Sequence, residues 1–316
     1  MITDRLFHRI SRDDLDEGFA ALGLRKGDSV LALISLRSIG FVVDGPGAVI
    51  DAIRNVIGPQ GTLVMAAFAA LDPLPAPPAD GLYDVAETPS ATGLLSEAFR
   101  RLPDTLRSAH PVGSIAAAGP RAGAWIEGHE THASPFEAGT PLDRFVAEEG
   151  RILAIGTHLG PLLPLLQERA GFPFLYREQA RDVEVRTARG AVLQVRTRLF
   201  RSESCQVVIL QGERPESRDY ALMRDYALVF PSERERHVER DGFLRQNLGR
   251  LIGRLERLKQ RGVVTSGQVG RAEAVLIEAR PFCEQVGADL AWEVEKFREE
   301  YDPERIALLG LSPAGR

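Results

Sequence analysis

Cysteine is nearly absent. Cys205 and Cys283 are the two in 316 residues, and neither belongs to a CxxC pair. That argues against a disulfide framework or a cysteine-rich zinc site and fits a reducing, cytoplasmic compartment. Long apolar runs are absent too: none approaches the roughly 18 residues that span a bilayer. Met1-Ile2-Thr3-Asp4-Arg5 opens the chain without a signal-peptide core. Positive charge is in deficit, with 39 Lys and Arg against 44 Asp and Glu and a formal net charge of −5. A general nucleic-acid binder is not expected from that balance. Internal repeats are missing as well. What is present is a 44% hydrophobic, 26% charged chain, enough for one large core or one core with an appendage.

The pattern along the chain alternates strands and helices. Ser11 can cap a helix over 11–23, with Leu15, Phe19, Ala20 and Leu22 as its stripe and Gly23 as its stop. Ser29–Ser35 is a short apolar run between turn signals, the mark of a buried strand. A helix follows from about Pro46 to Val56, then the turn Gly58-Pro59-Gln60-Gly61 and a strand over Thr62–Phe68. This strand–helix–strand unit with short connections predicts a layered α/β fold. Residues 71–82 are too rich in proline for a helix or a central strand and read as a surface loop. A helix is expected over Thr92–Leu102, strands at Ser114–Ala118 and Arg151–Gly156, and a hairpin around Arg189-Gly190 within 182–211. Residues 1–212 are thus read as a layered α/β core. Residues 213–316 are read as a helical C-terminal extension, with a leucine stripe and a basic face over 243–261 and a last helix over Phe282–Tyr301.

Four blocks carry more than secondary structure. They are Ser35-Leu36-Arg37-Ser38-Ile39-Gly40, the segment Gly58–Met65, the stretch from Thr88 through Arg100 to Arg107-Ser108-Ala109-His110-Pro111, and Ala138-Gly139-Thr140-Pro141-Leu142 followed by Gly150–Gly156. The first ends a strand with backbone N–H groups, two hydroxyls and a guanidinium, the groups that a pyrophosphate or a 3′-phosphate needs. In order and spacing, over residues 12–210, the blocks resemble the aminoglycoside 3-N-acetyltransferase family. The resemblance implies a single three-layer α/β/α domain and transfer of an acyl group from acetyl-coenzyme A, or another acyl-coenzyme A, to the amine of a small molecule. It implies a cofactor site at Ser35, Leu36, Arg37, Ser38, Thr62, Arg107 and Ser108, with no metal.

The same resemblance exposes three departures. The family's catalytic histidine follows the strand matching Arg151–Gly156, and here that position falls on Pro164, which cannot transfer a proton. The carboxylate that orients this histidine falls on Phe200 or Arg201, with Glu203 nearby. The family's His-Ser-Ser at the end of the first strand is Leu33-Ile34-Ser35. A substitute base is therefore sought among six histidines. His158 sits just after a strand, where open α/β folds gather ligands. His110 matches the family at a proline-marked turn and can equally hold a loop. His132 lies on a loop that borders the family's substrate pocket. His129 and His132 are three apart but lack further ligands for a metal. His8 and His237 lie outside the blocks. Glu137 and Glu168 are the nearest carboxylates.

Three expectations follow. The first is an N-acyltransferase with an altered site, since a neutral amine attacking a thioester needs modest base help and gains much from proximity. The second is a non-catalytic binding or partner subunit. The third is an acyltransferase that docks an acyl carrier protein on the basic face of 243–261, whose leucines could instead build a homodimer.

Overall fold

The computed structural model describes residues 9–72, 74–157, 162–171, 176, 179–200 and 257–288. Strand β1 (Arg9–Ile10) leads into helix α1 (Arg12–Leu22). Ser11 and Asp14 close a capping box at its start, and Gly23, at φ 106°, ends it in a left-handed turn. Next come β2 (Ser29–Ile34), the short α2 (Leu36–Ile39), β3 (Phe41–Val42) and α3 (Gly45–Ile57), whose buried stripe includes Val49, Ala52, Ile53 and Ile57. Strand β4 (Thr62–Ala66) is buried along its whole length. The proline-rich loop carries only small strands, β5 (Ala70–Asp72), β6 (Leu74–Ala76) and β7 (Leu82–Asp84). Helix α4 (Leu94–Arg100), β8 (Leu106–Arg107), β9 (Ile115–Ala118), α5 (Ala122–Ile126) and α6 (Pro141–Ala147) follow. Then come β10 (Arg151–Ile155), α7 (Leu163–Arg169), and the pair β11 (Arg181–Arg186) and β12 (Val192–Thr197). Strands β13 (Val264–Val269) and β14 (Ala272–Glu278) precede α8, residues 279–288.

Seven strands form the central sheet in the order β13-β14-β10-β2-β4-β9-β8. The inner strands β10, β2 and β4 run parallel, and antiparallel strands flank them. Alternating side chains feed two cores. Val30, Ala32, Leu63, Met65, Leu153 and Ile155 pack under α1, α3 and α4. Leu31, Leu33, Val64, Ala66, Ile152 and Ala154 pack under α5, α6, α7 and α8. A strand covered on both faces needs apolar residues at every position, and that is why β2 and β4 read as unbroken apolar runs. The three-layer α/β/α expectation is met.

The region expected as a helical extension differs in one respect. It is helical at 257–260 and over 279–288, but between them β13 and β14 form a hairpin. β14 pairs with β10 from Arg151↔Glu278 to Ile155↔Ala274. The physical reason is that β10 would otherwise leave a buried row of N–H and C=O groups unpaired. Pro281 falls in the first turn of α8, where its missing N–H costs nothing. Residues 213–256 and 289–316, with most of the basic face over 243–261 and the end of the Phe282–Tyr301 helix, lie outside the described residues.

Candidate active site

The carboxyl ends of β2, β4 and β10 share one edge of the sheet, because the three strands are parallel and in register. Ligands of open α/β folds gather at such an edge. The Ser35 N–H donates to the Ile155 carbonyl at 2.9 Å and ties the ends of β2 and β10 together. The Ser38 hydroxyl donates to Ser35 Oγ at 2.9 Å and approaches the Gly156 carbonyl at 3.3 Å. Leu36 and Ser38 are half-buried, whereas Arg37 is exposed and its guanidinium has no hydrogen bond or ion pair among the described residues. Ser35, Leu36, Arg37 and Ser38 therefore form one mouth, with Arg37 as its open cation.

The other three residues expected at the cofactor site sit differently. Thr62 opens β4 opposite Ser29, at the far end of the sheet from Ser35. It is fully buried, and its hydroxyl accepts the Arg121 N–H at 3.2 Å. Arg107 lies at the right edge but is buried. Its guanidinium bonds the carbonyls of Ala67, Val85 and Thr88 and the Ser114 hydroxyl, and it lies 5.1 Å from the centre of the Tyr83 ring. Burial lowers its pKa, yet a guanidinium remains charged in proteins. Ser108 is 1% exposed, and its hydroxyl accepts the Ile115 N–H and faces His129 Nδ1, each at 2.9 Å. In this structure Arg107 and Ser108 bind protein groups beneath the edge rather than line its surface.

The histidines divide by burial. The second ring nitrogen of His129, Nε2, lies 3.1 Å from the Pro135 carbonyl. A carbonyl only accepts, so Nε2 carries the proton and Nδ1 accepts the Ser108 hydroxyl. His110 Nδ1 accepts the N–H groups of Val112 and Gly113 at 3.2 and 3.3 Å, which is the loop-holding role. The two rings stack with centroids 4.7 Å apart. Burial pushes His110 down to about 3 and His129 well below 6.5, so both are neutral at pH 7. His132 is different: its ring is 21% exposed, and Nδ1 donates to Glu137 Oε1 at 3.0 Å. In the neutral ring that bond leaves Nε2 as the nitrogen with a lone pair. His158 lies outside the described residues.

The two positions where the resemblance expects the base and its carboxylate are packed into the interior. Pro164 is buried in the first turn of α7. Phe200 is 5% exposed and stacks with Tyr176 at 4.8 Å and Phe136 at 5.8 Å. Arg201 and Glu203 lie outside the described residues. Beside these positions stands a cluster that the sequence does not announce. Glu168 Oε2 on α7 accepts the hydroxyls of Ser134 and Tyr176. Ser134 is fully buried and also accepts the Phe136 N–H at 3.2 Å. The Arg198 guanidinium lies 4.2 Å from the centre of the Tyr176 ring, and its backbone N–H bonds the Ala133 carbonyl. Burial raises the Glu168 pKa, the two hydroxyls and Arg198 oppose that rise, and Glu137 adds to it. Among the described residues no group of three or more His, Cys, Asp or Glu is placed to hold a metal ion. No helix among them is long and apolar enough to cross a membrane.

Comparison with known proteins gives this arrangement a context. Aminoglycoside N(3)-acetyltransferase VII of Streptomyces paromomycinus is 30% identical over 319 residues, covering 93% of this chain and 95% of that protein. A crystal structure of aminoglycoside acetyltransferase AAC(3)-IVa, a histidine-to-alanine variant in complex with a gentamicin, superposes with a TM-score of 0.63 at 25% identity, covering 94% of each chain. The binary complex of AAC-IIIb with coenzyme A shares the fold at 22% identity and a TM-score of 0.61, covering 92% of this chain and 97% of that one. Residues 31–290 match the family described as aminoglycoside 3-N-acetyltransferase, and the chain belongs to that family.

Proposed function

We propose that the chain transfers an acyl group from a coenzyme A thioester, acetyl-coenzyme A first among them, to a primary amine of a small polyamine of the amino-sugar type. Family membership supports the reaction class. One observation carries the rest of the reading: Arg37 stands exposed at the carboxyl end of β2, with no hydrogen bond or ion pair among the described residues. The exposed Arg37 beside Ser35 and Ser38 suits the phosphates of an anionic donor. Glu137, on the loop before α6, and Glu168, on the helix after β10, suit a cationic acceptor. His132, held by Glu137, is the histidine among the described residues with both solvent access and a carboxylate partner. In this reading it contacts the acceptor through Nε2. His110 holds the turn beneath the cleft. Arg107 and Ser108 brace the thioester arm from below. The supply of coenzyme A thioesters places the reaction in the cytoplasm.

Catalysis then rests first on proximity. Fixing a neutral amine against a thioester carbonyl turns a bimolecular encounter into a unimolecular one. Calorimetric titration with acetyl-coenzyme A, coenzyme A and dephospho-coenzyme A tests the donor half. Arg37→Ala is expected to weaken acetyl-coenzyme A by about tenfold, the worth of a charged hydrogen bond. The discrimination against dephospho-coenzyme A is expected to shrink with it if Arg37 meets the 3′-phosphate. Thiol release with a panel of aminoglycosides tests the acceptor half. Absence of acetyl-coenzyme A binding at millimolar ligand, or absence of thiol release with every amine, would sink the reading.

A further inference from the structure

Resting on that reading, the geometry points to Glu168 as the group that takes the proton from the attacking amine, with Ser134 and Tyr176 holding its carboxylate in place. The argument begins with what N-acyl transfer requires. As the amine lone pair attacks the thioester carbon, the N–C bond forms and the nitrogen becomes positively charged. That nitrogen must lose a proton before the adduct collapses, or it leaves again. Collapse breaks the C–S bond and sends its electron pair to sulfur, and the thiolate then needs a proton. One group that accepts the first proton and delivers it to the thiolate balances the reaction without any further reactant.

His110 and His129 are buried, with their Nδ1 acceptors already engaged. Pro164 has no proton to exchange. Of the described candidates, His132, through Nε2, and Glu168 are the acceptors that remain, and Glu168 is the one whose carboxylate two hydroxyls fix. Glu168 stands one helical turn after Pro164, at i+4 on α7, a spacing that puts both on one helix face. Its two oxygens are in different situations. Oε2 accepts both hydroxyls and is fixed. Oε1 has no hydrogen bond among the described residues. One oxygen is therefore anchored, and the other, on a half-buried side chain, takes no hydrogen bond from a described residue. This is how a positioned proton acceptor is built: the carboxylate cannot rotate, and its free lone pairs point one way. The charged and titratable groups around it are Tyr176, Arg198 and Glu137, the last paired with His132. Arg198, stacked on Tyr176, keeps a positive charge near the carboxylate without bonding it.

The test is steady-state and single-turnover acetyl transfer by the full chain with acetyl-coenzyme A and an amine it accepts, across pH 5 to 9. Glu168→Gln keeps the shape and can still accept both hydroxyls at its amide oxygen. It should lower kcat on the order of 100-fold. It should leave acetyl-coenzyme A affinity unchanged, and it should erase the acid-side limb of the pH–rate profile. Tyr176→Phe, which frees Oε2 from one donor, should keep that limb and move it. A Glu168→Gln enzyme within a fewfold of wild type with the same acid limb overturns the assignment while the N-acyltransferase reading stands. So does an equal loss in both variants with no change in profile, because that marks packing alone. A wild-type chain that binds acetyl-coenzyme A and acylates no amine overturns both.

Discussion

Gly156 illustrates how a single residue shapes the mouth proposed for the acyl donor. It follows β10 at φ 57°, in the left-handed region, and a methyl group built on it would lie 2.2 Å from Ser38 Cβ. Gly156→Ala must therefore push Ser38 away from Ser35 and strain the backbone, at a cost of about 1–3 kcal/mol. Calorimetry should find acetyl-coenzyme A affinity reduced together with the urea midpoint; a fall in the midpoint alone would detach this glycine from the site. The strand end and turn at Ser35–Gly40 are legible in sequence, because an apolar run stops there at hydroxyls and a glycine; the use proposed for the segment rests on its hydroxyls and arginine. Arg107 and Ser108 are legible as a motif but not as a depth, since four acceptors from separate parts of the chain draw the guanidinium inward. Glu168 is less legible still. Ser134 and Tyr176 are 34 and 8 residues away, and no local pattern announces that they meet.

At the scale of elements, the strand–helix–strand unit of β2, α3 and β4 declares itself through period and turn residues. The β13–β14 hairpin does not. Ala272-Glu273-Ala274-Val275-Leu276-Ile277-Glu278 is made largely of residues that suit a helix, and only the open side of β10 selects the strand. Tertiary pairing overrides local preference there. Leu276 lies opposite Leu153 and is 2% exposed, against Phe19, Leu22 and their neighbours. Leu276→Ala should cost about 2–5 kcal/mol, measured by denaturant unfolding, with acetyl-coenzyme A affinity preserved. A loss below about 1 kcal/mol would mean that the hairpin contributes little to the core. The helical flanks of this hairpin follow the sequence reading, and Pro281 fits because it begins α8.

For the whole molecule, two buried neutral imidazoles at its centre set the response to acid. The unfolded chain protonates His110 and His129 near their ordinary value of 6.5, whereas burial holds folded His110 down to about 3 and His129 well below 6.5. Stability is therefore full above about pH 6.5 and falls as pH drops below it, because the unfolded chain takes up protons that the two buried imidazoles refuse. Glu97, held at about 2 by Arg100, Arg101 and the Ser90 N–H, adds a loss of the same sign below its ordinary 4.5. Glu168, whose pKa is raised, acts in the opposite sense. Thermal unfolding at pH 7.5, 6.5, 5.5 and 4.5 should show a flat upper range and then a steepening fall; a melting temperature unchanged at pH 4.5 would contradict the buried pair. The order of strands in the sheet carries a further consequence for synthesis. β14 lies between β13 and β10, so the ribosome must add roughly 120 more residues after β10 before its partner exists, which takes on the order of 10 s. Throughout that interval the nascent chain presents β10 as a bare apolar edge, the condition in which chaperones bind and in which neighbouring copies pair with one another.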